Sequence, residues 1–356
     1  MAGLVRIFFL RLIYFSGIWA LFRIFNRRKI RIVMYHGVCE QDELIWTQVP
    51  LEKFREQISY FARSHRVIEM EEAVARLKNG SSCPDSPLVI TFDDGFKNNK
   101  TLAYYQLKAH GLPAAIFLTT SFIDKSSRFR GLIRTDYIIG LFRNAGVERV
   151  DLSDQGLGVL EFKSPKERVD AAYKVGNAIK RINHLDENRI IDILTERLGG
   201  GLSEHDMSIL TGMTWDDARE LQEDGLVSFG AHTVSHEILS MLPSRVMVSE
   251  VIDSKAEIER RLGEKVRFFA YPNGTILDFN EDVKKTVAGH FDCALTSIRG
   301  LNSAGADLYT LRRIGIGNDT ELWRLKLELS GIIDFLLDAK SVIFGSKEQA
   351  SVYDSY

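Results

Sequence analysis

The fold is decided by the stretch Leu88-Val89-Ile90-Thr91-Phe92-Asp93-Asp94-Gly95, in which a short apolar run ends in two acidic residues and a glycine. A run that is apolar on both faces is typical of a strand buried in a parallel sheet. Six further short apolar runs follow along the chain, several of them apolar on both faces, with helical patterns between them: residues 30–35, 114–118, 226–230, 266–270, 293–296 and 311–316. Seven strands alternating with helices predict an α/β fold, either a β/α barrel or a doubly wound sheet.

Helical periodicity is clearest at residues 51–64, 71–78 and 102–110, and Gly111 is a stop signal for the last of these. A long stretch, about residues 123–224, reads as helical and polar without a convincing strand. We interpret it as an insertion between two strands, with a loop at Gly199-Gly200-Gly201.

Polar residues follow four of the apolar runs directly. They are Asp93-Asp94-Gly95, His36-Gly37, His232-Thr233-Val234-Ser235-His236 and Tyr271-Pro272-Asn273-Gly274. Taken singly, each group has a simpler interpretation as a turn, a solvated helix face or a strand-end histidine. Catalytic groups of parallel α/β proteins gather at the carboxyl ends of the strands, however. The joint placement of the four groups therefore favours a functional site.

The residue types at these strand ends suit metal-assisted hydrolysis. Two histidines separated by three residues can bind one metal ion together with a carboxylate, which leaves open positions for water and substrate. Of the adjacent Asp93 and Asp94, one can bind the metal while the other takes a proton from the water as general base. An amine leaving group also needs a proton, and His36 is the candidate acid.

Two of these groups resemble a known family. Thr91-Phe92-Asp93-Asp94-Gly95 matches the first motif of the polysaccharide deacetylase (NodB-type) family, carbohydrate esterase family 4, and residues 232–236 match its second motif. The resemblance runs from about residue 30 to 318, interrupted by the insertion. It implies a distorted β/α barrel of about seven strands in which Asp93 is the base. It also implies that Asp94, His232 and His236 bind zinc or another divalent ion.

The third motif departs from the family pattern, because Ala270 stands where an arginine usually orients the base. Arg312 or Arg313 is a candidate replacement. The resemblance assigns Tyr271 and Asn273 to oxyanion or substrate contacts, the latter through its backbone N–H. The late leucine–histidine motif of the family is also absent.

An early histidine stands in for that motif. Met34-Tyr35-His36-Gly37 resembles the circularly permuted subgroup that deacetylates poly-N-acetylglucosamine, in which this histidine is the acid.

The N-terminal segment, residues 1–29, is apolar and basic. Residues 7–25 are nearly all large and apolar, but Arg11 and Arg23 interrupt them, and the uninterrupted run of residues 12–22 is shorter than the ~20 residues of a comfortable membrane span. The basic cluster 27–29 follows where a secretory cleavage site would be expected. We expect inner-membrane association, by spanning or by lying in the interface. Positive charge just after an apolar segment favours a main domain in the cytoplasm, with the periplasm as the alternative. The alternative is a helix packed on the protein's own core.

Net charge and cysteine content bear on the binding partners and the compartment of the protein. The 356 residues carry a net charge of −2, which gives no indication of nucleic-acid binding. Three widely spaced cysteines, Cys39, Cys83 and Cys293, form neither a disulfide framework nor a CxxC zinc site and favour a reducing compartment.

These observations lead to one principal hypothesis and three alternatives. The principal hypothesis is a metal-dependent deacetylase, with zinc as the expected metal, acting on an N-acetylated amino sugar of a bacterial surface polysaccharide or its precursor. The alternatives are a deformylase or deacetylase of a lipid-linked sugar, a metal-free glycan-binding barrel, and an amidase unrelated to sugars. We expect the catalytic barrel to occupy residues 30–320, followed by a C-terminal helix and tail at 321–356.

Overall fold

The computed structural model describes residues 2–80, 85–123, 129, 132–180, 182 and 184–344. Its strands are β1 (Arg31–Tyr35), β2 (Gly37–Cys39), β3 (Gln48–Pro50), β4 (Arg66–Val67), β5 (Pro87–Phe92), β6 (Ala114–Leu118), β7 (Arg149–Leu152), β8 (Gly158–Glu161), β9 (Val227–Ala231), β10 (Phe268–Ala270), β11 (Cys293–Arg299) and β12 (Leu311–Gly315).

The α-helices are α1 (Ala2–Ser16), α2 (Ile18–Phe25), α3 (Leu51–Ser64), α4 (Met70–Asn79), α5 (Tyr104–His110), α6 (Thr120–Ile123), α7 (Arg134–Arg143), α8 (Pro165–Ile179), α9 (His184–Leu198), α10 (Glu204–Leu210), α11 (Trp215–Glu223), α12 (Ser244–Leu262), α13 (Glu281–Ala288), α14 (Leu322–Ser330) and α15 (Ile332–Phe344). A π-helical turn, Asn99–Ala103, precedes α5, and Ser153–Gln155 and Leu239–Met241 form 3₁₀ turns.

Seven parallel strands form a closed barrel in the order β1-β12-β11-β10-β9-β6-β5, because β1 pairs with β12 on one side and with β5 on the other. The seven predicted strands and the barrel are thus confirmed, and closure excludes the doubly wound sheet. The short β4 adds to the start of β5. Pairing of Tyr35 with Phe92 brings the next residues, His36 and Asp93, to the same rim of the barrel.

The local signals place the elements that surround the barrel. Helix α3 has the predicted bounds and buries Phe54, Ile58 and Phe61 against the strands, at the i, i+4, i+7 spacing of an amphipathic helix. Gly111 ends α5 in the left-handed region, with φ 62°, as its stop signal predicted.

The insertion corrects one expectation. We expected no strand in residues 123–224, but β7 and β8 form an antiparallel hairpin there. Its strands are short and alternate between exposed and buried positions, so their signal is weaker than that of the fully buried barrel strands. The insertion also has a hydrophobic core of its own, centred on Phe142, Phe162 and Leu194. Residues 124–128, 130–131, 181 and 183 of this stretch lie outside the described residues.

The N-terminal segment forms two helices, α1 and α2, that meet at Gly17 with a bend of 75°. Neither helix is by itself long and apolar enough to cross a bilayer, and only the bent pair reaches that length and composition. Both helices pack against α14 and α15 at the C-terminal end of the described chain. The remainder of the predicted C-terminal tail, residues 345–356, lies outside the described residues, as does Cys83.

Candidate active site

Asp94, His232 and His236 meet at the rim formed by the ends of β5 and β9. One ligand atom from each lies within 4.8 Å of the other two. The Oδ1 atom of Asp94 is 3.5 Å from Nε2 of His232 and 3.4 Å from Nε2 of His236. Two imidazole nitrogens and one carboxylate oxygen converging in this way match the donor set of a catalytic zinc site.

The tautomer of His232 follows from its hydrogen bond. Its Nδ1 lies 2.7 Å from the carbonyl oxygen of Ala270 at the end of β10. A carbonyl only accepts, so Nδ1 carries the proton and Nε2 presents its lone pair toward Asp94. Such a contact fixes the ring orientation of metal-binding histidines. Ala270 thus contributes its backbone where the family's arginine would contribute a side chain.

The Asp94 carboxylate is suited to a cation. The residue is 3% exposed, and its Oδ1 atom accepts no hydrogen bond from the described residues. Burial, followed by the charge of Asp93, raises the pKa of Asp94 well above its usual value. Burial of an unpaired carboxylate is costly unless a cation compensates it. The residues present therefore fit a divalent ion at this point.

Asp93 is held in a different way. Both of its carboxylate oxygens accept hydrogen bonds from the guanidinium of Arg313 on β12, each at 2.7 Å. The Nε of Arg313 also donates to the carbonyl of Thr296. Burial alone would raise the pKa of Asp93, but the charge and hydrogen bonds of Arg313 outweigh it and lower the pKa to about 2. Asp93 is therefore an ionised carboxylate beside the metal-binding triad.

The structure separates the two arginines that the sequence left open. Arg313 is 1% exposed and points into the barrel, whereas Arg312 is exposed on the outer face of the same strand. Alternation of side chains along β12 forces this difference. The charge missing at Ala270 is thus supplied by Arg313, and Arg312 is excluded from the site.

His36 lies at the end of β1 and is 4% exposed. Its ring contacts Trp46 edge-on, with centroids 5.6 Å apart, and its carbonyl accepts a hydrogen bond from the Asn99 side chain. Within the described part of the chain, the ring atom Nδ1 has no hydrogen-bond partner. Burial lowers the pKa of His36 to about 4, although the charge of Asp93 opposes the shift. The imidazole is therefore neutral at pH 7 before substrate binds.

The turn after β10 places the remaining predicted contacts. Asn273 has φ 55° and lines a cavity together with His236. Gly274 follows with φ 67°, and a Cβ there would lie 2.7 Å from the backbone nitrogen of Ser297, so only glycine fits.

Tyr271 corrects the sequence prediction. It is 1% exposed, stacks on Phe279 and donates its hydroxyl to the carbonyl of Tyr309. Its side chain is part of the core and is not placed for the predicted substrate contact.

Sequence reasoning missed Glu250 on α12, which organises the loop between the two histidines. Its carboxylate accepts hydrogen bonds from the backbone nitrogens of Val234 and Ser235, both at 2.9 Å, and from the Ser235 hydroxyl at 2.5 Å. The flanking residues Thr233 and His236 have φ of 66° and 61°. A β-branched residue in the left-handed region is strained, so the surrounding contacts must hold it. No sequence motif connects Glu250 to this loop.

The insertion forms one wall of the site. The cavity beside His236 and Asn273 is closed on its other side by Ile133, Thr135, Ile138, Gly176, Ile179 and Lys180 from the region of α7 and α8. The insertion therefore shapes the approach of any substrate to the metal-binding triad.

Comparison with known proteins agrees with this geometry. The model of the polysaccharide deacetylase family matches residues 186–290, which include both histidines of the triad. A protein named as a polysaccharide deacetylase, YxkH of Bacillus subtilis (strain 168), is 20% identical over 290 residues, 81% of this chain and 71% of that protein.

Solved structures share the fold. The deacetylase PplD of Streptococcus pyogenes, in complex with acetate, superposes with a TM-score of 0.57 at 18% identity, covering 85% of this chain and 98% of that one. IcaB from Ammonifex degensii superposes with a TM-score of 0.53 at 17% identity, covering 85% and 97%. The matched residues include His232 and His236, and the barrel fold places Asp93 and Asp94 beside them. The chain is therefore similar to polysaccharide deacetylases in its barrel fold and in the sequence of residues 186–290.

Proposed function

We propose that this protein is a metal-dependent deacetylase that hydrolyses the N-acyl amide of an amino sugar in a surface polysaccharide or its precursor. The convergence of Asp94, His232 and His236 beside an independently held Asp93 carries the proposal. A glycan-binding barrel without catalysis would not need an unpaired buried carboxylate next to an ionised one, since both are costly to bury.

Asp94, His232 and His236 would hold the divalent ion, and the two imidazole ligands favour zinc. When bound, such an ion polarises the amide carbonyl and acidifies a water molecule. The hydrogen bond from His232 to the carbonyl of Ala270 keeps this ring in position before the ion arrives.

Asp93 is the general base in this assignment. Since Arg313 keeps its carboxylate ionised, Asp93 can accept the proton of the attacking water at any pH near neutrality. Arg313, on β12, donates one hydrogen bond to each oxygen of the Asp93 carboxylate. This bidentate contact also fixes the orientation of the carboxylate in the site. We assign the contact to the developing oxyanion to the backbone N–H of Asn273.

His36 is assigned as the acid that protonates the departing amine. Its imidazole is neutral at rest because it is buried, and negative charge that develops on the attacked carbonyl group favours its protonated form. In this assignment Asp93 takes the proton of the attacking water, and His36 takes up a second proton from solvent while the C–N bond is still intact. His36 then donates this proton to the amine nitrogen as the bond breaks.

A second candidate substrate is a lipid-linked sugar. The observation that favours it is the exposed apolar surface of α1 and α2, which would bring the enzyme to a membrane-embedded carrier. The chemistry at Asp93 and His36 would be the same for either acceptor.

The experiment that tests the proposal measures bound metal and acetate release on purified protein. We expect about one divalent ion per chain, and loss of both metal and activity in Asp94→Ala and His236→Ala. His205→Ala is the matched control, because His205 is exposed on α10 and pairs with Glu43 away from the triad. Full metal content in both triad variants would refute the metal assignment. Metal binding without acetate release from N-acetylated glycans or lipid-linked sugars would refute the substrate assignment.

A further inference from the structure

Helices α1 and α2 have two apolar faces, and the protein itself covers only one of them. The inner face consists of Leu10, Ile13, Tyr14, Trp19 and Phe22, which pack against residues of α14 and α15. The rings of Tyr14 and Trp323 lie 6.1 Å apart, and those of Phe22 and Phe335 lie 5.1 Å apart. The pair is therefore fixed to the C-terminal helices of the domain.

The outer face is exposed along its whole length. Its members are Val5, Ile7, Phe8, Phe9, Leu12, Phe15, Ile18, Leu21, Ile24 and Phe25, each at least 44% exposed. The largest exposures are 80% at Phe15 and 81% at Phe25, and Phe335 on α15, at 55%, adds to the same region. A group of neighbouring apolar side chains that are exposed to solvent in this way marks an interaction site.

Charge identifies what covers it. Residues 1–29 contain six cationic side chains, and no acidic residue precedes Glu40. Arg27 and Arg28 are exposed at the end of α2. Large apolar side chains rimmed by arginines suit an anionic lipid surface, where the rings enter the acyl boundary and the guanidinium groups reach the phosphates. A second copy of the chain would instead bring two sets of like charges together around one symmetric interface.

We propose that α1 and α2 form an in-plane anchor that binds the surface of an anionic membrane without crossing it. The bend at Gly17 favours an in-plane orientation over a membrane span. Gly17 has φ 73°, so the two helices cannot continue as one rod. Helix α2, with 8 residues, is much shorter than the ~30 Å hydrocarbon core requires at 1.5 Å per residue, and no single helix among the described residues is long and apolar enough to cross it. Straightening the pair would also pull the inner face away from α14 and α15.

The test adds the purified full chain to sealed, preformed vesicles and measures co-flotation. We expect binding to vesicles of phosphatidylglycerol and phosphatidylcholine, reduced at least tenfold on phosphatidylcholine alone or in high salt. The variant F8S/F15S/F25S should lose at least tenfold in binding and keep its deacetylase activity on a soluble substrate. The control Y105S/V159S/V246S changes three exposed apolar residues elsewhere and should bind as the unchanged chain does.

A tag placed before Met1 distinguishes an anchor that lies in the membrane surface from one that spans the membrane. This measurement uses the unchanged chain and needs none of the serine variants. An in-plane anchor leaves the tag open to protease added outside the vesicles, whereas a span protects it. The proposal is overturned by a protected tag, by equal binding to neutral and anionic vesicles, or by a vesicle-free dimer that F8S/F15S/F25S disrupts. That the anchored surface is the cytoplasmic side of the inner membrane stays a prediction.

Discussion

Arg313 and Asp93, 220 positions apart in sequence, form a buried bidentate ion pair with two N–O distances of 2.7 Å. The pair joins β12 to the end of β5 across the inside of the barrel. It replaces the arginine that the family usually places at the position of Ala270, so the same charge reaches the base from a different strand.

Replacing Arg313 with alanine should lower kcat/KM most strongly on the acid side of the pH profile. Without the guanidinium, burial raises the pKa of Asp93, so the base is protonated over a wider pH range. An unpaired buried carboxylate should also destabilise the fold by about 3–5 kcal/mol. A pH profile of kcat/KM and a denaturant titration measure the two effects. Arg312→Ala, the exposed neighbour on the same strand, is the control, and an equal effect of both substitutions would contradict the assignment.

Replacing His36 with alanine should leave the metal content unchanged and slow amide hydrolysis by roughly 10²–10⁴-fold, the usual contribution of general acid–base catalysis. The loss should be smaller for an ester substrate, because an alkoxide leaves more easily than an amide anion. Parallel assays on an amide and an ester of the same acyl group check this. His290→Ala, at an exposed position, serves as control. Folded His36→Ala protein with normal amide turnover would rule out the acid role.

Replacing Glu250 with alanine should weaken metal binding about 10–100-fold, although Glu250 is not a ligand. The carboxylate holds two backbone N–H groups of the loop that carries His236, and Thr233 in that loop is in a strained conformation. Competition with a chelator of known affinity measures the effect. Asp253→Ala, on the exposed side of the same helix, should bind metal normally. Unchanged affinity in Glu250→Ala would show that the loop holds its shape without this contact.

Asp136 predicts a pH dependence of stability. Burial raises the pKa of this α7 carboxyl to about 7, although the charge of Lys180 opposes the shift. Between the unfolded pKa of about 4 and the folded value near 7, the folded state binds more protons than the unfolded state, so stability falls as pH rises through this window. Asp136→Asn should remove this part of the dependence and raise Tm more at pH 8 than at pH 5. Melting curves of metal-free wild type and variant test it, and a constant Tm difference would contradict the shifted pKa.

The sequence alone predicted the seven barrel strands, because each is a short run rich in apolar residues, and several of the runs are apolar on both faces. It also placed Asp93-Asp94 and the two histidines of residues 232–236 after such strands, and the family resemblance then assigned Asp94, His232 and His236 as the metal ligands. Helix α3 was predicted with its bounds for a related reason: its burial pattern has the 3.6-residue period that the sequence displays. These features depend on residues close together in the chain, so the sequence alone displays them.

The tertiary structure decided what depends on which way a side chain faces and on what packs against it. Arg312 and Arg313 are equivalent in sequence, and only the register and closure of the barrel turn Arg313 inward to Asp93. The sequence predicts a substrate contact for Tyr271, but in the folded protein its ring stacks on Phe279 in the core. Glu250 reaches the histidine loop across 15 or more positions through the packing of α12 on β9. The inner face of α1 and α2 likewise depends on α14 and α15, about 300 residues away, because the free energy of a buried contact is set by partners that sequence separation does not reveal.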